Sequence, residues 1–248
     1  MTSSRDPFSA GGPGPDLTRG DAPAVETPHA TLRPPLDRGE REVKDAVLRM
    51  GGLVEDQILA ALDALVRHDA EAALQVIKDD RGVNEAQRIL STQIATIIAT
   101  QQPVARDLRF LLSLDHVTYE LERMGDHAAS VAKQARKLAP FAPLGAYVDL
   151  PEMARLAASL VRGILGALVD VDQEGARAVA ARDDEVDRLY HRTFDEVLGL
   201  MRADPANVEP GTRILFAAHY IERIGDRVTN IAEDIVFLAT GQIEDLNP

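Results

Sequence analysis

The chain has 248 residues, of which 45% are hydrophobic, and its formal net charge is −13, so it is long enough for one large or two small globular domains. The acidic excess disfavours binding to nucleic acid, and the absence of cysteine excludes disulfides, thiolate metal sites and a thiol nucleophile. Aromatic residues make up only 4%, which favours helices packed on helices over a sheet.

The N-terminal region is predicted to be a disordered tail. Seven of the 14 prolines lie in the first 35 residues, together with several glycines and few apolar residues. This region lacks the basic segment followed by an apolar one that marks a signal peptide, and no run of about 18 apolar residues occurs in the chain. We therefore expect a cytoplasmic protein.

The other prolines separate long segments that contain none, as helix interiors require. Apolar periodicity within these segments predicts six helices. In chain order they lie at residues 37–67, 70–100, 104–138, 151–171, 174–203 and 210–240. Asp69 and Asp172 are predicted N-caps, and Gly241 is predicted to end the last helix.

The third and sixth predicted helices share a heptad pattern. Each carries apolar residues at the a and d positions for about four heptads, and the two patterns are offset by 100 residues. Within them, residues 121–127 align with residues 221–227. In the earlier helices, Asp69 aligns with Asp172 and Asp80 with Asp183, both at an offset of 103. We therefore predict an all-α protein of two tandem three-helix bundles, related by internal duplication and packed like an antiparallel coiled coil.

The duplication and the prolines together define the predicted domains. These are a disordered tail at 1–35, a first three-helix repeat at 36–139, a linker at 140–150, a second three-helix repeat at 151–241 and a C-terminal tail at 242–248.

Acidic side chains recur on one helix face in both halves. The pairs, each spaced by four residues, are Asp80 with Asn84, Glu122 with Asp126, Asp183 with Asp187, and Glu222 with Asp226. Like charges one turn apart repel, so a compensating cation is expected. In the heptad frame the last pair falls at positions b and f, outside the apolar seam formed by positions a and d. Such oxygen ligands suit Mg²⁺, Mn²⁺, Fe or Zn²⁺.

The second half is the stronger candidate for a metal site. His219 precedes Glu222 by three residues, and Asn230 and Glu233 are expected to extend the same face. The alternative for each acidic pair is a solvated helix face without a ligand. Arg106 and Arg109, at the start of the third helix, either hold phosphate or serve as surface charges in a first turn.

Motifs for nucleophilic catalysis are absent from the sequence. It contains neither a Gly-x-Ser-x-Gly motif nor a Walker A motif. Metal-assisted hydrolysis at the carboxylates remains an alternative. We expect a protein that is not an enzyme.

The chain resembles the PhoU family over residues from about 36 to 241. The resemblance is carried by residues 101–109 (QQPVARDLR), by 121–127 (LERMGDH) and by 221–233 (IERIGDRVTNIAE). It implies two three-helix bundles with multinuclear metal clusters on their surfaces. By this likeness Asp80, Glu122 and Asp126 serve one cluster, and the other is served by Asp183, Asp187, Glu222 and Asp226.

The resemblance also implies a function. PhoU proteins repress phosphate-starvation signalling when phosphate is plentiful, by linking a phosphate ABC transporter and its ATPase to a phosphate-sensing histidine kinase. Homodimers, and contact with the membrane only through these partners, are further expectations. The alternatives are a metal-dependent enzyme that acts on a phosphate compound and a similar regulator of a different transporter.

Overall fold

The computed structural model describes residues 34–144 and 149–246, so most of the predicted N-terminal tail and part of the predicted linker lie outside the described residues. Every regular element in these ranges is helical, which confirms the all-α prediction. The α-helices are α1 (Pro34–Val66), α2 (Ala70–Gln101), α3 (Ala105–Leu138), α4 (Leu150–Asp170), α5 (Gln173–Ala180), α6 (Asp183–Ala203) and α7 (Val208–Thr240), and a 3-10 turn at Pro205–Asn207 precedes α7.

Local sequence signals account for several helix ends. Asp69 accepts hydrogen bonds from the first turn of α2, and Asp172 does the same for α5, as predicted for N-caps. Gly241 ends α7 with φ +74°, in the left-handed region that favours glycine.

The prediction of one helix over residues 174–203 was wrong, because the chain breaks between α5 and α6. At the break the amide of Arg182 donates to the carbonyl of Val179, and the amide of Glu185 donates to the carbonyl of Arg182, so the turn tightens to an i to i−3 pattern. Three consecutive acidic residues follow at 183–185, and negative charge stabilises a helix N-terminus. The break places Asp183 in the first turn of α6.

The two long seam helices, α3 and α7, lie side by side and antiparallel at the centre of the molecule. Helices α1 and α2 pack on α3, while α4, α5 and α6 pack on α7. The predicted a and d residues of α3, at 114, 117, 121, 124, 128, 131, 135 and 138, are all buried. Those of α7, at 214, 217, 221, 224, 228, 231, 235 and 238, are buried except for Leu238, and the two sets join one core that both halves share. Within the described ranges, no helix is long and apolar enough to span a membrane.

Candidate functional site

Four carboxylates of the second half converge between α6 and α7. Asp183 and Asp187 lie one turn apart on α6, and Glu222 and Asp226 lie one turn apart on α7. We call this group the second-half cluster. Asp183 is only 6% exposed, and its Oδ1 atom has no hydrogen-bond partner among the described residues. A buried carboxylate oxygen without a donor is costly, and a bound cation would satisfy it.

Burial and mutual repulsion govern the charge of this cluster. Burial raises the pKa of Asp183 to about 7, and repulsion from Asp187, Asp226 and Glu222 adds to the effect. Burial likewise raises the pKa of Glu222 to about 7, with Asp226 as the next cause. Positions b and f of the heptad frame predicted solvated carboxylates on the outside of the bundle. In the structure these carboxylates are partly buried and close enough to repel one another.

Few cationic groups offset this charge. Arg223 Nη1 lies 2.8 Å from Asp226 Oδ2, and His219 Nδ1 lies 3.3 Å from Glu222 Oε2. His191, which the sequence did not single out, places its Nδ1 atom 2.8 Å from the carbonyl oxygen of Asp187. Burial, followed by repulsion from Asp226, raises the pKa of Asp187, and the proximity of His191 offsets only part of that shift. The position of His191 four residues after Asp187 was the available signal.

A glycine makes room for the second-half cluster. A Cβ atom on Gly225 would lie 2.0 Å from Asp183 Oδ1, closer than any side chain tolerates. A Cβ atom on the equivalent Gly125 would lie 3.4 Å from Asp80 Oδ1 and 3.2 Å from Gln57 Oε1. Both glycines therefore allow a neighbouring helix to approach closely.

The first half arranges its acids differently. Gln57 of α1 donates a hydrogen bond of 2.9 Å to Asp80 Oδ1, and Asn84 donates one of 3.4 Å to Asp80 Oδ2. Arg123 Nη1 lies 3.3 Å from Asp126 Oδ2. Burial raises the pKa of Glu122, and Asp126 adds to the shift. Side-chain amides thus donate hydrogen bonds to both carboxylate oxygens of Asp80, whereas Asp183 Oδ1 has no donor among the described residues.

The donor chemistry fits a metal ion better in the second half. Among the described residues, no group of three His, Asp or Glu side chains is arranged closely enough to hold a metal ion as it stands. Even so, Asp183 offers a buried oxygen without a partner, and three more carboxylates lie near it. Hard oxygen donors of this kind suit Mg²⁺, Mn²⁺ or a ferric ion, whereas at Asp80 two amides already occupy the carboxylate.

Two residues predicted to extend the metal-binding face have other roles. Asn230 donates a hydrogen bond of 3.2 Å to Glu120 of α3, so it belongs to the contact between the seam helices. Glu233 accepts a hydrogen bond of 3.0 Å from the amide of Leu246 and holds the C-terminal segment against α7. Both residues nevertheless lie on the predicted face, since they line one crevice together with Asp226.

His127 lies among cationic groups between the two repeated motifs. Burial lowers its pKa to about 4, and the charges of Arg227, Arg223 and Arg123 contribute. The ring stacks on Tyr220 at a centroid distance of 6.1 Å. His127 is therefore a neutral packing residue at neutral pH.

Arg106 and Arg109 line a crevice of about 670 Å³ where α1 and α3 begin and α4 and α7 end. Lys44 also lines it, but so do three acidic residues, Glu40, Asp107 and Asp170. The balanced charge favours the first-turn interpretation of these arginines over phosphate binding.

The chain is similar to known proteins over both of its halves. The PhoU domain family model matches residues 47–135 and again residues 150–235, which confirms the internal duplication. A phosphate-specific transport system accessory protein PhoU homologue from Clostridium acetobutylicum is 37% identical over 207 residues, covering 83% of this chain and 94% of the relative. The homologue of the same name from Rhizobium meliloti is 35% identical over 214 residues, covering 86% and 90%.

Two solved structures share the fold. The crystal structure of PhoU from Pseudomonas aeruginosa superposes with a TM-score of 0.80 at 33% identity and covers 84% of this chain and 100% of its own. PhoU from Streptococcus pneumoniae, described as a phosphate transport system regulatory protein, gives a TM-score of 0.78 at 31% identity, with coverage of 85% and 99%.

Proposed function

The chain belongs to the PhoU family, and we propose that it is an accessory regulator of phosphate transport that represses phosphate-starvation signalling when phosphate is plentiful. The observation that carries the proposal is the double match to the PhoU domain, together with relatives named as phosphate-transport accessory proteins over more than four fifths of the chain. The same relationship supports a regulatory role without enzymatic activity.

The partners follow from the same role. We propose a phosphate-sensing histidine kinase and the ATPase of a phosphate ABC transporter as partners, homodimerisation, and a cytoplasmic location with contact to the membrane through those partners. Long helices that expose extended faces suit protein recognition, and a net charge of −13 disfavours nucleic acid as a partner.

A metal ion is the proposed ligand of the second-half cluster. Asp183, Asp187, Glu222 and Asp226 would hold a divalent or trivalent ion such as Fe, Zn, Mn or Mg, which would neutralise the repelling carboxylates and link α6 to α7. Asp80, Glu122 and Asp126 would form a weaker site in the first half, because Gln57 and Asn84 already donate to Asp80.

A phosphate-starvation reporter tests the regulatory proposal. In host cells that lack the gene and grow with ample phosphate, we expect high alkaline phosphatase output, and the wild-type chain should silence it. The variant Glu222→Ala/Asp226→Ala then reports whether the cluster matters for signalling. The matched control is Glu42→Ala/Asp45→Ala, which removes two exposed acids of α1. Low output in the deletion strain would contradict the proposal and favour a different transporter as the target.

Metal binding is measured separately, by calorimetric titration of the chelator-treated protein with Mn²⁺. We expect Asp183→Asn/Glu222→Gln to abolish the tighter binding step, and Glu122→Gln/Asp126→Asn to leave it in place. Equal losses from the two pairs of substitutions would contradict the assignment to the second half. Hydrolysis of a panel of phosphate esters by the metal-saturated protein would instead support the metal-dependent enzyme.

A further inference from the structure

An apolar groove opens between α6 and α7 beside the second-half cluster. It encloses about 360 Å³ and is lined by Tyr190, Phe194, Thr212, Leu215, Phe216 and His219. Phe194 is 39% exposed and Phe216 is 45% exposed. The chain has only six phenylalanines, and two of them thus lie exposed in this groove. Exposed aromatic side chains gathered along one groove are typical of a surface that binds another protein.

The fold itself does not require aromatic residues at this place. At the offsets of the internal duplication, Gln87, Ser91 and His116 of the first half correspond to Tyr190, Phe194 and Phe216. There the side chains are polar and have polar partners: Gln87 donates to Ser91, Ser91 donates to Asp115, and His116 pairs with Asp234 of α7. The same helix pair is therefore built without the aromatic groove, which points to a role specific to the second half.

Negative charge lies at one end of the groove. Because α6 and α7 run antiparallel, Asp187 and Glu222 lie at the same end of it. Asp187 is seven residues from Phe194, a distance of about 10 Å along a helix. His219 connects the two regions, with its ring 6.2 Å from that of Tyr190 and its Nδ1 atom 3.3 Å from Glu222 Oε2. The groove thus offers an apolar surface and, two helical turns away, anionic groups.

We infer that this groove docks an amphipathic helix of a partner protein, with apolar anchors on the aromatic residues and a basic side chain about seven residues further on, at Asp187 and Glu222 of the metal-free protein. Charge selects this occupant, since a second copy of a chain with a net charge of −13 would bring another acidic cluster to the carboxylates. The inference rests on the proposed function, because a regulator acts through a protein partner, and it adds the surface and the chemistry of that partner.

A designed peptide tests the groove on the full, chelator-treated chain. The probe is a fluorescent, alanine-based helical peptide of about 18 residues, with leucines at positions i and i+4 and arginines at i+7 and i+11. The control peptide has the same composition, with its arginines on the opposite face. Fluorescence anisotropy should show at least tenfold tighter binding of the probe peptide than of the control.

Matched variants locate the binding. Phe194→Ser/Phe216→Ser should weaken probe binding at least tenfold, whereas Leu112→Ser/Tyr119→Ser, which alters exposed apolar residues of the first half, should change it less than twofold. Glu222→Gln should weaken binding of the arginine peptide but not of a peptide with glutamine in place of arginine. Circular dichroism confirms that each variant is folded.

Three results would overturn the inference. Equal binding of the two peptides would show nonspecific attraction to an acidic protein, and unchanged binding by the Phe194→Ser/Phe216→Ser variant would place the contact elsewhere. A wild-type dimer that this variant dissociates in sedimentation would make a second copy the occupant. In the reporter strain, failure of the wild-type chain to silence output counts against the proposed function alone, since peptide binding tests the groove independently.

Discussion

Glu120 of α3 and Arg227 of α7 form an ion pair across the seam, with Nη1 3.4 Å from Oε2. Tyr220 and His127 occupy the positions equivalent to this pair in the internal duplication, and their rings stack between the same two helices. The Glu120 side chain is only 3% exposed, and it also accepts a hydrogen bond from Asn230. One pseudosymmetric contact is therefore ionic and the other is aromatic.

Replacing Arg227 should destabilise the fold. Arg227→Ala leaves a buried carboxylate with weaker partners, so we expect the free energy of unfolding to fall by about 2–4 kcal/mol. Urea denaturation measures this loss. Arg67→Ala is the control, because Arg67 pairs with Asp63 and Asp69 at an exposed site, where a loss below about 1 kcal/mol is expected. Equal losses would show that Glu120 gains little from Arg227.

The sequence predicted the features that depend on neighbouring residues. The heptad positions of α3 and α7, the two aspartate caps and the final glycine all follow from local spacing, and the structure confirms them. The pairing of Glu120 with Arg227 joins residues 107 positions apart, so it depends on the antiparallel contact of two helices.

The candidate site was predicted in part, for the same reason. Spacing by four placed each pair of acids on one face, but it did not show that Gln57, on another helix, donates to Asp80 while Asp183 has no such donor. The break before Asp183 was also missed, because helical periodicity continues across it. Tertiary packing decides which of two equivalent aspartates is satisfied.

Substitution of the equivalent residues Asp183 and Asp80 by asparagine should therefore change the stability of the fold in opposite directions. In chelator at neutral pH, Asp183→Asn removes a buried charge that four neighbouring carboxylates repel, and we expect stability to rise by about 1 kcal/mol. Asp80→Asn weakens acceptance from Gln57 and Asn84, and we expect a loss of about 1 kcal/mol. Thermal unfolding compares the two variants. A loss of stability in both would contradict the view that Asp183 lacks a partner.

Gly225 should be intolerant of a side chain. The Cβ of Gly225→Ala would displace the buried carboxylate of Asp183, so we expect a loss of about 1–2 kcal/mol despite the better helix propensity of alanine. Gly166→Ala on α4 meets nothing within 4 Å and should gain up to about 1 kcal/mol. Chemical denaturation gives both values. A gain at Gly225 would mean that the carboxylate moves freely, and Mn²⁺ titration would then show unchanged affinity.

Glu40 gives the fold a predictable dependence on pH. Burial raises its pKa from 4.5 to about 7, and Asp107 and Asp37 add to the shift. The folded state thus binds more protons than the unfolded chain between these values, and the contribution of Glu40 to stability falls as pH rises through this window. Glu40→Gln should match the wild type near pH 4 and be more stable above pH 7, by up to about 1 kcal/mol, since the carboxylate is partly solvated.

Denaturation at pH 4, 6 and 8 measures this difference between Glu40→Gln and the wild type. Glu42→Gln, two residues further along α1 and exposed, is the control, and its difference from the wild type should stay nearly constant over the same range. An advantage of Glu40→Gln that grows as pH falls would reverse the sign required by a raised pKa. It would mean that the carboxylate is stabilised in its charged form, with Arg106, whose charge lowers its pKa, as the dominant neighbour.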